Sequence, residues 1–293
     1  MSLRKTLAIG MTALMVLAAI ASVVGPAIAQ GNEDDVLYIA MQQDMPNFNY
    51  MDLASNSVWK KYVLGAWVFE AMSTTDPQGN LFPFLAEDWT FDEDTLTAEI
   101  TLRANVKFHD GVVMTADDVV YSYMINRAGT TYSTFVIDCF DTDGDGLCTA
   151  DEVDGAVDAD TNGVFEGISK IDDTHVKIVL SKPYGQFFLQ GLGVPVLPKH
   201  IWQDHLTTDG VVDVLWNTDP AAVIGTGPFK YDSGERNVFR KLVKFEEYWG
   251  KDFVTPSGHH VYPGVVDTLY LKLYSSLDTA ILALKSGQVD HIP

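Results

Sequence analysis

The sequence predicts a mixed α/β fold, and three observations carry that prediction. Strand patterns recur along the chain. Leu96, Ala98, Ile100 and Leu102 alternate with Thr97, Glu99, Thr101 and Arg103, and Val176, Ile178 and Leu180 alternate with His175, Lys177 and Val179. A period of two means a strand with one buried face. Helical patterns lie between such stretches, with Val119, Val120, Tyr123 and Met124 on one face of one helix and Leu277, Ala280, Ile281 and Leu284 on one face of another. The spacing of these elements is irregular and no fixed-period repeat is present, which leaves α/β or α+β packing rather than a solenoid.

The elements follow in order. Residues 1–29 have the layout of a secretory signal peptide: Arg4 and Lys5, an apolar run from Thr6 to about Val24, and Ala27-Ile28-Ala29 before Gln30. Val36–Met41 is short and nearly all apolar, a strand buried on both faces. A loop with Pro46 follows, then a helix capped by Ser55 or Ser57 and running to about Ala71. Asp76-Pro77-Gln78-Gly79 is a β-turn sequence joining two short strands. Asp110-Gly111 marks a turn between the strand near residue 100 and the next helix. Thr115 caps that helix, with Asp118 at the capping-box spacing. Pro195–Pro198 leads to a helix start near Lys199. Ile224-Gly-Thr-Gly-Pro-Phe229 is a glycine-rich turn into a strand. Val238–Phe245 is a strand with Phe239, Val243 and Phe245 on one face. Thr268–Tyr274 is another strand, Ser275 or Ser276 caps the last helix, and Gly287 suits its end.

Composition narrows the function. Nineteen basic against 40 acidic residues give a net charge of −21. A nucleic-acid binder carries a basic patch, and an anionic membrane surface repels such a chain. The acidity is concentrated. Ala128 to Ser169 contains no lysine or arginine, and ten acidic residues fall between Asp138 and Glu166. Residues 136–168 are therefore predicted to form an acidic insertion. Within it, Asp141, Asp143, Asp145, Leu147, Thr149 and Glu152 occupy the ligand positions of an EF-hand loop, with Gly146 at the sharp turn. Hard oxygen donors at this spacing suit Ca2+. A solvated acidic loop is the alternative. Asp158, Asp160 and Asn162 begin a second such run, but its twelfth position is Ser169, which cannot bind bidentately. Cys139 and Cys148 flank the first half of the loop, and export would let them form a disulfide; two free thiols are the other state.

No catalytic arrangement is present. Gly-x-Ser-x-Gly and His-Glu-x-x-His are absent. Gly225-Thr-Gly-Pro lacks the lysine and following helix of a phosphate loop. Adjacent His259 and His260 point apart on an extended chain and read as a solvated loop. His109, in a turn, reads as a hydrogen-bonded structural residue.

The motifs together resemble a known family. Leu85-Ala-Glu-Asp-Trp89, the stretch from Ile100 through Phe108-His-Asp-Gly111 and Thr115-Ala-Asp-Asp-Val119 to Ser122, Val196-Leu-Pro-Lys-His200, Ile224–Phe229, Tyr248-Trp-Gly250 and Ala283–Asp290 resemble, in order, the family 5 extracellular solute-binding proteins. These are the peptide- and nickel-type receptors of ABC importers. The resemblance implies a two-lobed periplasmic-binding-protein-like fold with a solute cleft between the lobes, no catalysis, and a membrane permease as partner of a monomeric receptor. It implies that residues 30–274 are mostly lobe I, with mixed sheets flanked by helices. Residues 275–293 would begin the crossing to lobe II, whose remainder is missing from this chain. It places Gln43, Asp44 and Met45, after the first strand, and Tyr274 and Ser275, before the last helix, at the cleft. Peptides are the expected solute. A calcium-dependent extracellular interaction protein that reuses the fold, with the acidic loop as docking element, is the alternative.

Overall fold

A computed structural model describes residues 35–45, 47–48, 63–65, 67–127, 165–180, 183–205, 220–261 and 266–293. The predicted signal peptide and EF-hand-like loop, the second acidic run at 158–162 and both cysteines lie outside them.

Two four-stranded sheets organise the chain. The first has the order β1-β10-β9-β8 and the second β4-β5-β7-β6. In the first sheet, β1 (Val36–Met41) runs parallel to β10 (Thr268–Leu273). β10 pairs antiparallel with β9 (Phe239–Lys244), and β9 with β8 (Phe229–Glu235). The far edge of β1 receives the chain once more, through a parallel bridge between Ile39 and His291. The second sheet is antiparallel throughout, from β4 (Ala86–Asp92), β5 (Thr97–Leu102), β6 (Phe165–Asp172) and β7 (His175–Leu180). The predicted hairpin is present as β2 (Ser73–Thr75) and β3 (Leu81–Pro83), with Gly79 at φ +84° and Asp76 accepting from the Gln78 and Asn80 amides.

Helices α1 (Ala116–Arg127), α2 (Lys199–Trp202) and α3 (Leu277–Lys285) flank the sheets. The Asp118 half of the predicted capping box is present: its carboxylate accepts from the Thr115 amide at 2.8 Å and from the Thr115 hydroxyl at 3.2 Å. One apolar face is not the whole of α1, however. Val119 and Tyr123 enter the core of the second sheet while Tyr121 enters that of the first. α1 thus lies between two cores, and Ser122, fully buried, bonds both its own helix and the Leu197 amide.

Other expectations shift. The helix before β2 stops near Trp67, and Ala71 instead bridges Pro195. β6 begins at Phe165, inside the range assigned to the insertion, and Ser169 is buried in it opposite Lys177. Within β9 the buried face carries Arg240 and Leu242 rather than Phe239 and Val243, and Phe239 stacks on Tyr270 on the other side; Phe245, just past the strand, is buried in the first core. A hydropathy pattern cannot place an arginine inward; its partner does that, as described below. On α3 the buried residues are Ala280 and Ala283, while Leu277 and Leu284 are exposed.

The two cores meet at Glu70. Phe69 belongs to one core and Met72 to the other. Between them the buried Glu70 carboxylate accepts from Tyr248 Oη at 2.7 Å, Trp249 Nε1 at 2.8 Å and Thr226 Oγ1 at 2.8 Å. Thr226 lies in the Gly225–Pro228 turn, which His109 grips from another side. The Gly225 amide donates to His109 Nδ1 at 3.4 Å, and Nε2 donates to the Gly227 carbonyl at 2.9 Å. These roles require the neutral ring. The turn also lies flat on the preceding helix end. A Cβ at Gly225 would sit 2.0 Å from the Val68 carbonyl oxygen, and one at Gly227 2.5 Å from that of Trp67. Glycine is required there by close approach, so Gly225→Ala should cost about 1–3 kcal/mol of stability; a denaturant midpoint equal to wild type would refute this packing.

Both gripping groups are titratable, and their effects oppose. Burial raises the Glu70 pKa from 4.5 to about 7, against the lowering effect of its three hydrogen bonds. Burial lowers that of His109 from 6.5 to about 4. For Glu70 the folded state holds the extra proton, so its stability contribution is full below pH 4.5 and is lost as pH rises to 7. For His109 the unfolded state holds it, so that contribution is full above pH 6.5 and is lost as pH falls to 4. Each amounts to roughly 3 kcal/mol over its range, and between pH 4.5 and 6.5 the two cancel. Subtracting the stability profile of Glu70→Gln from that of wild type should leave a difference that falls with pH across this window. A difference that is flat, or that rises, would refute the assignment.

Candidate functional site

The parallel pair β1–β10 decides where a site can form. Met41 pairs with Leu273, so both strands end at the same edge of the sheet. Ligands of α/β sheets bind outside the carboxyl ends of parallel strands, where loops diverge and leave backbone groups accessible. Here the Tyr274 amide donates to the Met41 carbonyl at 2.8 Å, so the two chains leave the sheet side by side. Gln42 and Gln43 follow one strand, Tyr274 and Ser275 the other.

The five residues placed at the cleft by resemblance are thus brought to one edge, in different roles. Gln43 and Ser275 are exposed, and Tyr274 is half-buried beside the small Ala40–Ala280–Ala283 core. Met45 is buried in the main core, as is Phe48. Asp44 is turned inward. Its Oδ1 accepts from Arg240 Nε at 3.0 Å and from the Met45 amide at 2.7 Å. Its Oδ2 accepts from Arg240 Nη2 at 2.9 Å and the Asn237 amide at 2.8 Å. Ser276 rather than Ser275 caps α3, in a reciprocal capping box with Thr279. Ser275 is exposed and precedes the cap.

Sequence reasoning missed Arg240 and Asn237, which lie some 190 residues from Asp44. It also missed Glu70, hidden inside a helical pattern. His109, by contrast, has the structural place predicted for it, and Asp110 beside it accepts from His200 at 2.7 Å. His259 sits in a turn, its Nδ1 3.1 Å from Ser257 Oγ. Among the described residues no three His, Cys, Asp or Glu side chains group as metal ligands. A cavity of about 690 Å3 lies elsewhere, lined by Leu37, Leu269, Trp67, Phe69, Phe82 and Phe84 among others. Leu37 and Leu269 belong to the amino-terminal ends of β1 and β10, the opposite end from Gln43 and Ser275.

A mixed sheet whose parallel pair ends at an open edge is joined through α1 to a second, antiparallel sheet, an arrangement that fits one lobe of a two-lobed periplasmic-binding-protein-like fold. The comparisons give the family. The profile of the bacterial extracellular solute-binding proteins, family 5 (middle region), matches residues 80–293, and the chain belongs to that family. It is 24% identical over 273 residues to the uncharacterized protein YejA of Escherichia coli strain K12, covering 91% of this chain and 37% of YejA. It is 23% identical over 232 residues to the oligopeptide-binding protein AppA of Bacillus subtilis strain 168, covering 76% of this chain and 34% of AppA. Its fold matches NikZ of Campylobacter jejuni, solved with Ni(L-His), with a TM-score of 0.62 at 22% identity, covering 88% of this chain and 43% of NikZ. The chain spans less than half the length of each of these proteins. Among the described residues no helix is long and apolar enough to cross a membrane.

Exposure separates the edge residues by their expected cost. Gln43→Ala and Ser275→Ala should each change stability by less than about 0.5 kcal/mol. Met45→Ala should cost about 2–5 kcal/mol. Chemical denaturation of the three variants checks this, and a large loss at Gln43 or Ser275 would mean that these side chains serve the fold.

Proposed function

We propose that this chain is the solute-binding part of an exported receptor for an ABC importer and that peptides are its solutes. The observation that carries the reading is the shared edge of β1 and β10, which offers Gln43 and Ser275 outward within a chain of this family. An amide and a hydroxyl suit the backbone groups common to all peptides. Relatives named for oligopeptides and for nickel both occur. Peptides are favoured because relatives named for peptides, oligopeptides and dipeptides among them, recur beside one named for nickel. The protein works by binding and not by catalysis, delivers its solute to a membrane permease, and is a monomer outside the cytoplasm after loss of residues 1–29. Mass spectrometry of solute released from the purified full-length protein tests the reading. Recovery of peptides supports it, and recovery of a metal chelate or a non-peptide solute would replace it.

The acidic insertion is proposed to hold Ca2+ through Asp141, Asp143, Asp145, Leu147, Thr149 and Glu152, with Asp158, Asp160 and Asn162 as a weaker second run and Cys139–Cys148 as a disulfide. The support is the donor set itself: four carboxylates at the loop spacing with no basic residue between Ala128 and Ser169. A cation that binds only the folded form stabilises it by mass action. Calcium at 100 times its dissociation constant should add roughly 2.7 kcal/mol, and Glu152→Gln should abolish the shift. Metal-stripped protein whose melting ignores both calcium and chelator would leave a solvated acidic loop.

A further inference from the structure

We propose that Asp44 is a positioning residue for the solute-binding edge, fixing the loop that presents Gln43 while making no contact with solute itself. This rests on the solute-binding reading above. A carboxylate offers about four acceptor positions. Here four donors use them: Arg240 twice, the Asn237 amide and the Met45 amide. The side chains of Asp44 and Arg240 are 7% and 9% exposed. Nothing remains of the Asp44 charge for a ligand to read.

What the bridge does follows from its path. It leaves the loop after β1, passes over β10 and ends on β9, two strands away. Arg240 also lies over the Phe48 ring, with its guanidinium carbon 5.2 Å from the centroid, and Phe48 meets Tyr231 of β8 edge-on at 5.0 Å. The Asn237 amide adds the β8–β9 turn to the same clamp. On its other side the loop is held where the Tyr274 amide bonds the Met41 carbonyl. Gln42 and Gln43 are thus an exposed dipeptide held at both ends, by the Met41–Tyr274 bond on one side and the Asp44 clamp on the other. A loop ordered before the solute arrives spares the entropy of ordering it on binding. Arginine is the suitable partner because its planar fork engages both carboxylate oxygens at once.

The test uses the full-length protein and two readouts. In wild type, amide hydrogen exchange at Met45 and Asn237 should be slow, as in β9. Asp44→Asn should speed it at least about tenfold while the Leu242 amide is unchanged. Trialanine, Lys-Ala-Lys and Glu-Ala-Glu then serve as probes in calorimetry. Asp44→Asn should weaken all three by the same factor, on the order of ten to a hundred, because a mispositioned loop is indifferent to solute charge. Arg240→Lys, which keeps the charge and loses the fork, should weaken them less. A loss confined to Lys-Ala-Lys would make Asp44 a direct contact and overturn the proposal. So would fast exchange at Met45 and Asn237 in the wild type, which is decisive even if a variant fails to fold. Wild-type protein that binds none of the three peptides would count against the peptide reading, and the exchange result would still decide the role of Asp44.

Discussion

The fold depends on a carboxylate sealed away from water. Glu70 sits where two cores meet, and the three groups that replace its hydration come from three distant places: Thr226, Tyr248 and Trp249. A buried acid without such donors would cost several kcal/mol. Its presence therefore fixes where the 225–228 turn and the 248–249 segment must lie. Trp249 packs against both cores, so one polar contact sets the relation of the two sheets. Around it, His109 holds the same turn by its backbone, Asp110 holds His200, and Asp118 accepts from the Lys199 amide at 2.9 Å. These segments thus form one hydrogen-bonded network at the seam. Their role is to hold the sheets in register, away from the edge where solute is proposed to bind.

This explains what the sequence could and could not disclose. Strands β5 and β7 were legible because their side chains alternate between core and surface, and burial follows that alternation. The turns at Gly79 and Gly111 and the capping contacts at Thr115 and Ser276 were legible because each is a local contest between side chain and backbone. β9 was misread on its face because Arg240 is inside, and only Asp44, far along the chain, makes that tolerable. α1 was read as one-sided because a pattern of period 3.6 cannot announce two separate cores. The candidate site was half visible. Its position came from family likeness, while the division between outward Gln43 and inward Asp44 depends on long-range partners. Nothing in the local sequence separates two polar neighbours in a loop.

The bridge from Ile39 to His291 bears on how the chain folds. β1 is first in sequence, yet its partners are β10, with Val36 opposite Thr268, and the segment at His291. Each lies roughly 230 residues away or more. The antiparallel second sheet closes from nearer neighbours, so it can form while β1 still has both edges bare. Contacts of such long separation are slow to close, and an unpaired apolar strand invites pairing with other chains in the meantime. Val36–Met41 is therefore the segment that a holding chaperone has most reason to cover, from its emergence until the residues near 290 arrive.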